Sequence, residues 1–141
     1  MADIKTRIME VIGRGPFMAS LATVTGDGKP WTRYMMGIAN DDMEIRFSTF
    51  ASARKVEQIR NDPEVHITCG VDDPEDWETY LQIQGRAEVT GDSSEKAAFW
   101  NESIAEIFEG PDDPNYAVVI VRPYRIEVNT IGSMTPEVWE S

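Results

Sequence analysis

The run Phe47-Ser48-Thr49-Phe50-Ala51-Ser52-Ala53-Arg54-Lys55 concentrates hydroxyls and cations as no other stretch of the chain does. Ser48, Thr49 and Ser52 precede a guanidinium and an ammonium. If Ser52 caps a helix over Ala53 to Asn61, the unpaired N–H groups of the first turn, the positive end of its dipole and both cations converge, which is the donor set that a phosphate takes. Cations in a first turn oppose the helix dipole, so their placement costs local stability and asks for a reason. A solvated, serine-capped helix start accounts for the same residues equally well.

Charge points to the same place. The 141 residues carry 25 acids against 13 bases, a net charge of −12, which repels nucleic acid and anionic membrane over most of the surface. Arg33 to Arg60 holds five bases and four acids, whereas the other 113 residues hold eight bases and twenty-one acids. An anion that binds this chain is expected in that segment. The single His66 nearly excludes a multi-histidine mechanism or metal site, and the single Cys69 excludes an internal disulfide. No apolar run approaches the ~20 residues of a membrane-spanning helix, and Met1-Ala2-Asp3-Ile4-Lys5 lacks a signal-peptide pattern, so the expected location is the cytoplasm.

The elements that must position these residues read as mainly β. Ile4, Ile8, Val11 and Ile12 form one face of a short helix that Gly13 stops, a lid for something else. Phe17 to Thr25, the turn Gly26-Asp27-Gly28, Trp31 to Ala39, the turn Asn40-Asp41-Asp42 and Glu44 to Phe50 read as three consecutive antiparallel strands. After the Ala53–Asn61 helix, which carries Val56 and Ile59 inward, Val65 to Val71 is apolar enough to be a central strand. The acidic loop Asp72-Asp73-Pro74-Glu75-Asp76 follows, without the spacing of a calcium loop. Tyr80 to Thr90 is a fifth strand with Gly85 marking a bulge or bend. Asp92 and Glu95 have capping-box spacing for a helix through about Phe108, and Tyr116 to Arg122 and Arg125 to Thr130, parted by Pro123, supply the last strands. Six or seven strands and two interposed helices in one domain of residues 1–141, with an extended tail over 131–141, imply an antiparallel β-barrel with flanking helices.

In their order and spacing, several of these pieces resemble the FMN-binding split-barrel family related to pyridoxamine 5′-phosphate oxidase, within it the general stress protein branch. They are Trp31-Thr32-Arg33-Tyr34-Met35-Met36, the Phe47–Lys55 run, Gln58-Ile59-Arg60-Asn61-Asp62-Pro63-Glu64-Val65, Gly85, and Phe108-Glu109-Gly110-Pro111-Asp112-Asp113-Pro114-Asn115. The resemblance implies a homodimer with FMN in a groove between subunits. It also implies that the strand Arg33, Tyr34, Met35, Met36, Gly37 lines the isoalloxazine, with Arg33 reaching the phosphate end. Ser48 and Thr49 would bond the ribityl phosphate, Ser52 would stand at the helix start, and Arg54 and Lys55 would neutralise the phosphate. Tyr80 or Gln82 would reach the flavin edge. For whichever methionine of Met35 and Met36 points inward, core packing is the favoured role.

Two departures narrow the resemblance. The oxidases carry an Arg-any-His element near the C-terminus where this chain has Arg125-Ile126-Glu127, which argues against vitamin B6 oxidation. Asn129 and Ile107 stand where stress-branch relatives often carry tryptophan; Trp139 or Trp100 is the candidate substitute, with packing the more ordinary role for each. The expected function is that of a flavin-dependent oxidoreductase that is not a pyridoxamine phosphate oxidase. The alternatives are a flavin-holding stress or sensor protein without turnover and a deazaflavin-dependent reductase. No side chain is required as a catalytic acid or base. His66 is expected to be a satisfied sheet histidine and Cys69 a small buried hydrophobe.

Overall fold

The computed structural model describes residues 3–141. In chain order the elements are α1 (Ile4–Ile12), β1 (Phe17–Val24), β2 (Pro30–Ala39), β3 (Ile45–Phe50), α2 (Arg54–Asn61), β4 (Glu64–Cys69), β5 (Thr79–Thr90), α3 (Ser93–Phe99), α4 (Glu102–Ala105), β6 (Tyr116–Thr130) and β7 (Glu137–Glu140). The sheet order is β3-β2-β1-β4-β5-β6-β7, every pairing is antiparallel, and β3 also pairs with β6. That pairing closes six strands into a barrel with β7 as an added flank, in agreement with the split barrel expected from the sequence.

Alternation in the strands sets the interior. Ala19 and Leu21 of β1, Ile45 and Phe47 of β3, Ile67 and Cys69 of β4, and Leu81 and Ile83 of β5 point inward, and Ile8 and Ile12 of α1 close one end as a lid. The first half of β6 is buried on both sides. Ala117, Val119 and Val121 face the barrel, while Tyr116, Val118 and Ile120 lie under Phe99, Trp100, Ile104 and Phe108 of the α3–α4 segment. This explains its unbroken apolar run.

Four local expectations are corrected. Ser52 does not cap α2: the N-cap is Ala53, no side chain bonds the first turn, and Ser52 is exposed. A tight backbone turn, Ala53 N–H to the Phe50 carbonyl at 3.0 Å, does the work instead. The helix expected from Asp92 to Phe108 breaks after Phe99. Asn101 Nδ2 donates to the Phe99 carbonyl, and Asn101 Oδ1 accepts from Ser103 and Ile104 N–H, ending one helix and starting the next. The capping box is half formed: Asp92 accepts from Ser94 and Glu95 N–H, but the Glu95 carboxylate turns to Arg46. Finally, the two last strands are one. β6 runs through Pro123, and the register slips opposite Gln84/Gly85 so that Tyr124 has no partner, which accommodates a residue with no N–H to donate. Gly85 is required there, because a Cβ would lie 2.9 Å from Val121 Cγ1.

Candidate functional site

The turn between β3 and α2 is fixed from outside. Ala51 N–H donates to the Asn115 carbonyl at 2.8 Å, and the Phe50 ring lies 4.8 Å from that of Phe108. The Phe108–Asn115 stretch is organised in turn by Asp113, whose carboxylate accepts from Glu109 and Asn115 N–H and is held below the ordinary carboxylate range by those two bonds first. A motif remote in sequence therefore sets the aim of α2.

At the start of α2, Lys55 Nζ donates to Thr49 Oγ1 at 3.0 Å, and the Arg54 guanidinium lies 5.9 Å from the centre of the Trp31 ring. Arg33, from β2, points in toward the same place. Its Nη1 donates to the Leu21 carbonyl at 3.2 Å, the Trp31 carbonyl at 3.1 Å and Thr23 Oγ1 at 2.7 Å, and its Nη2 to Gln58 Oε1 at 3.3 Å. Burial first, then the charge of Arg54, lowers the Arg33 pKa; burial first, then Arg33, lowers that of Lys55. The three cations feel one another, and among the described residues none of them makes an ion pair with a carboxylate. Such a group binds an anion with several oxygens.

Of the expected contacts, the structure brings together Arg33, Thr49, Arg54 and Lys55. The others distribute by strand alternation. Met35 and Gly37 share the inward side with Arg33, where Met35 packs on the core and a Cβ at Gly37 would sit 2.8 Å from Phe47 Cε1. Tyr34 and Met36 point outward, 81% and 48% exposed. Ser48 faces the opposite side of β3 from Thr49, and Ser52 lies in the exposed turn. Sequence reasoning missed Thr23, Trp31 and Gln58. Gln58 was within reach, since residues three and four apart on a helix share a face and it follows Lys55 and Arg54 at those intervals.

The remaining candidates lie elsewhere. Tyr80 and Gln82 are half-buried on the outer face of β5, Gln82 Oε1 accepting from Asn129 Nδ2 at 3.1 Å. His66 is half-buried on the outer face of β4. Burial lowers its pKa and Glu127 opposes the shift, and its imidazole, expected to be satisfied, has no hydrogen-bond partner among the described residues. Burial pushes the Cys69 thiol up to about 12, so it is the inert hydrophobe expected. Trp100 packs against Tyr116, and Trp139 of β7 against the barrel core, so both tryptophans act in packing. No group of three His, Cys, Asp or Glu among the described residues is placed to hold a metal ion, and no helix among them is long and apolar enough to cross a membrane.

A closed antiparallel split barrel with a cation cluster where β3 meets α2 defines a class, and comparison with known proteins gives it a family. Residues 5–129 match the model of the pyridoxamine 5′-phosphate oxidase family, and the chain belongs to that family. It is 33% identical over 134 residues to General stress protein 26 of Bacillus subtilis strain 168, covering 95% of this chain and 94% of that protein. The crystal structure of General Stress Protein 26 from Bacillus anthracis is similar with a TM-score of 0.82 and 30% identity over 98% of each chain. An F420 reductase has the same fold, with a TM-score of 0.65 and 24% identity over 84% of this chain and 94% of its own.

Proposed function

We propose that this chain is an FMN-binding protein acting as a flavin-dependent oxidoreductase, and that it is not itself a pyridoxamine phosphate oxidase. The observation that carries the reading is the cluster of Arg33, Arg54 and Lys55, three cations held by uncharged groups and open to a dianion. The first turn of α2 adds N–H donors for phosphate oxygens, and Thr49, whose hydroxyl donates to the Phe50 carbonyl at 3.2 Å, holds Lys55 beside them. Bound FMN supplies hydride or electron transfer; the chain's own residues bind its phosphate and orient its ring. The backbone of the β2 run with the outward Tyr34 and Met36, and Ser48, Tyr80 and Gln82, are the proposed contacts along the ribityl chain and ring, and Ser52 is a further hydroxyl at the phosphate end.

The second half of the reading rests on Arg125 and Arg122. Arg125 is bound through Nε and Nη2 to Glu127, at 3.1 and 2.8 Å, and pairs with Glu140; Arg122 pairs with Glu44 and Glu88. Cations already matched by carboxylates offer little to a second phosphate, and carboxylates beside a dianion repel it. The expected outcome is no pyridoxal phosphate formation from pyridoxamine phosphate under air with FMN saturating. Turnover of about 1 per second or faster would contradict this.

We also propose a two-fold dimer with the flavin near its interface. On the outer face, Thr32–Met36 of β2, Met18–Ala22 of β1, His66 and Thr68 of β4, and Tyr80–Gln84 of β5 present no carboxylate, and no ionisable base but His66. In a chain of net charge −12, such a face is where a second copy can approach without repulsion, and an uncharged patch is complementary to itself. Light scattering at micromolar concentration should give twice the chain mass, and Met36→Glu should halve it.

The test of the main reading is the absorbance of the purified protein, then FMN titration and reductase assays with NADH, NADPH and reduced deazaflavin. Turnover with any of these donors separates an enzyme from a flavin-holding protein. Failure to bind FMN at micromolar concentration would defeat the proposal.

A further inference from the structure

Arg33 is a half-buried guanidinium, and a cation drawn out of water ordinarily gathers a carboxylate. Its four acceptors are all uncharged: the carbonyl oxygens of Leu21 and Trp31, Thr23 Oγ1 and Gln58 Oε1. Two of them interlock. Thr23, 1% exposed, donates its hydroxyl hydrogen to Gln58 Oε1 at 2.5 Å while its oxygen accepts from Arg33 Nη1 at 2.7 Å. Gln58 also lies on the face of α2 that carries Arg54 and Lys55.

We infer that Gln58, supported by Thr23, is a positioning residue for Arg33: a clamp that fixes the guanidinium at the phosphate end while leaving its charge uncompensated. This rests on the FMN reading above. The chemistry separates such a clamp from mere filling. A glutamate at this position would hold Arg33 as firmly, or more so, yet cancel one of three cationic charges and stand within a helical turn of Arg54. A leucine would keep the bulk, remove the acceptor and let the guanidinium turn away.

The experiment compares FMN with riboflavin, which shares the ring and ribityl chain and lacks only the phosphate. Both are titrated by flavin fluorescence against the full chain, Gln58→Glu, Gln58→Leu and Thr23→Val, with melting temperatures of the apo proteins measured alongside. Expected for Gln58→Glu is an FMN Kd raised at least tenfold, a riboflavin Kd within twofold of the original, an apo melting temperature that does not fall, and a shallower salt dependence of FMN binding. Gln58→Leu and Thr23→Val should raise the FMN Kd several-fold with riboflavin again within twofold. If the FMN-to-riboflavin ratio is unchanged in both Gln58 variants, the clamp is overturned while the FMN reading stands. Loss of both ligands in proportion to a lowered melting temperature marks a structural residue and also overturns it. Should either Gln58 variant fail to fold, Thr23→Val decides by the same ratio. An original protein that binds FMN no better than riboflavin removes the phosphate site and the clamp together.

Discussion

Two sets of cations in this barrel are treated in opposite ways. Arg46 and Arg122 share Glu44, and each takes a second carboxylate, Glu95 for Arg46 and Glu88 for Arg122. Arg33, Arg54 and Lys55 feel one another's charge, yet are held by carbonyls, two hydroxyls, an amide and an indole. In the first set the charge is neutralised on folding and ties β3, β5, β6 and α3 together. In the second it is left over. The lesson is that burial and basicity do not mark a binding site by themselves; the partners do.

The largest effect expected from this difference is on affinity. The double variant Arg54→Ala, Lys55→Ala removes two charge-assisted contacts from the proposed phosphate. At about 1.5–3 kcal/mol each, FMN binding should weaken by at least about a hundredfold. The apo protein should lose little stability, because Arg54 is exposed and the cations repel one another. FMN titration beside urea denaturation is the check, and unchanged FMN affinity would remove the anion site from this segment.

The opposite pattern is expected at Arg46, whose side chain is 14% exposed. Arg46→Met leaves Glu44 and Glu95 without this partner, and because those carboxylates keep some access to water the cost should be about 1–3 kcal/mol of folding stability rather than the full value for a buried pair. FMN affinity should stay within twofold. A variant that kept its urea midpoint and lost FMN would reverse the assignment of the two sets.

A smaller effect belongs to His66, a titratable base in neither set. Its folded pKa lies below the unfolded value of about 6.5, so the unfolded chain takes up the proton first. The stability it contributes is complete above about pH 6.5 and is lost as pH falls toward the depressed folded value. Between pH 8 and 5.5 the urea midpoint of the original should fall relative to that of His66→Gln, and parallel curves would count against the shift.

The fold was legible because its signals are local. Alternation in β1, β3 and β5, the turn residues and the Gly85 bulge all act within a few positions of themselves. The errors fell where a distant partner outbid a local pattern. Glu95 left its capping box for Arg46 and a register slip opposite Gly85 carried β6 through Pro123, whereas Asn101 stopped a helix by its own short-range bonds to Phe99, Ser103 and Ile104. The site shows the same division. Arg54, Lys55 and Thr49 are near neighbours in sequence and could be read there. Gln58 follows Arg54 and Lys55 at helical spacing, whereas Arg33, placed at the phosphate end only by the family resemblance, and Thr23 behind it depend on β2 pairing with β1 and on α2 packing over the barrel, which no short-range pattern reports.

Ser52 gives the smallest expected effect and the finest test of the contrast. Its type and place suggested a cap, and removing a working cap costs about 0.5–2 kcal/mol. Here Ala53 is the N-cap, the Phe50 carbonyl closes the turn, and the Ser52 hydroxyl is exposed with no bond to the first turn of α2. Ser52→Ala should therefore change stability by no more than about 0.5 kcal/mol, as an ordinary surface substitution does. Any loss should appear in the ligand instead. A hydroxyl donating to the charged FMN phosphate is worth about 1.5 kcal/mol at so exposed a position, roughly tenfold in Kd. Urea denaturation of the apo protein and FMN titration of the same sample separate the two roles. A stability loss near 1 kcal/mol with FMN affinity unchanged would restore the cap and show that the hydroxyl does not take part in anion binding.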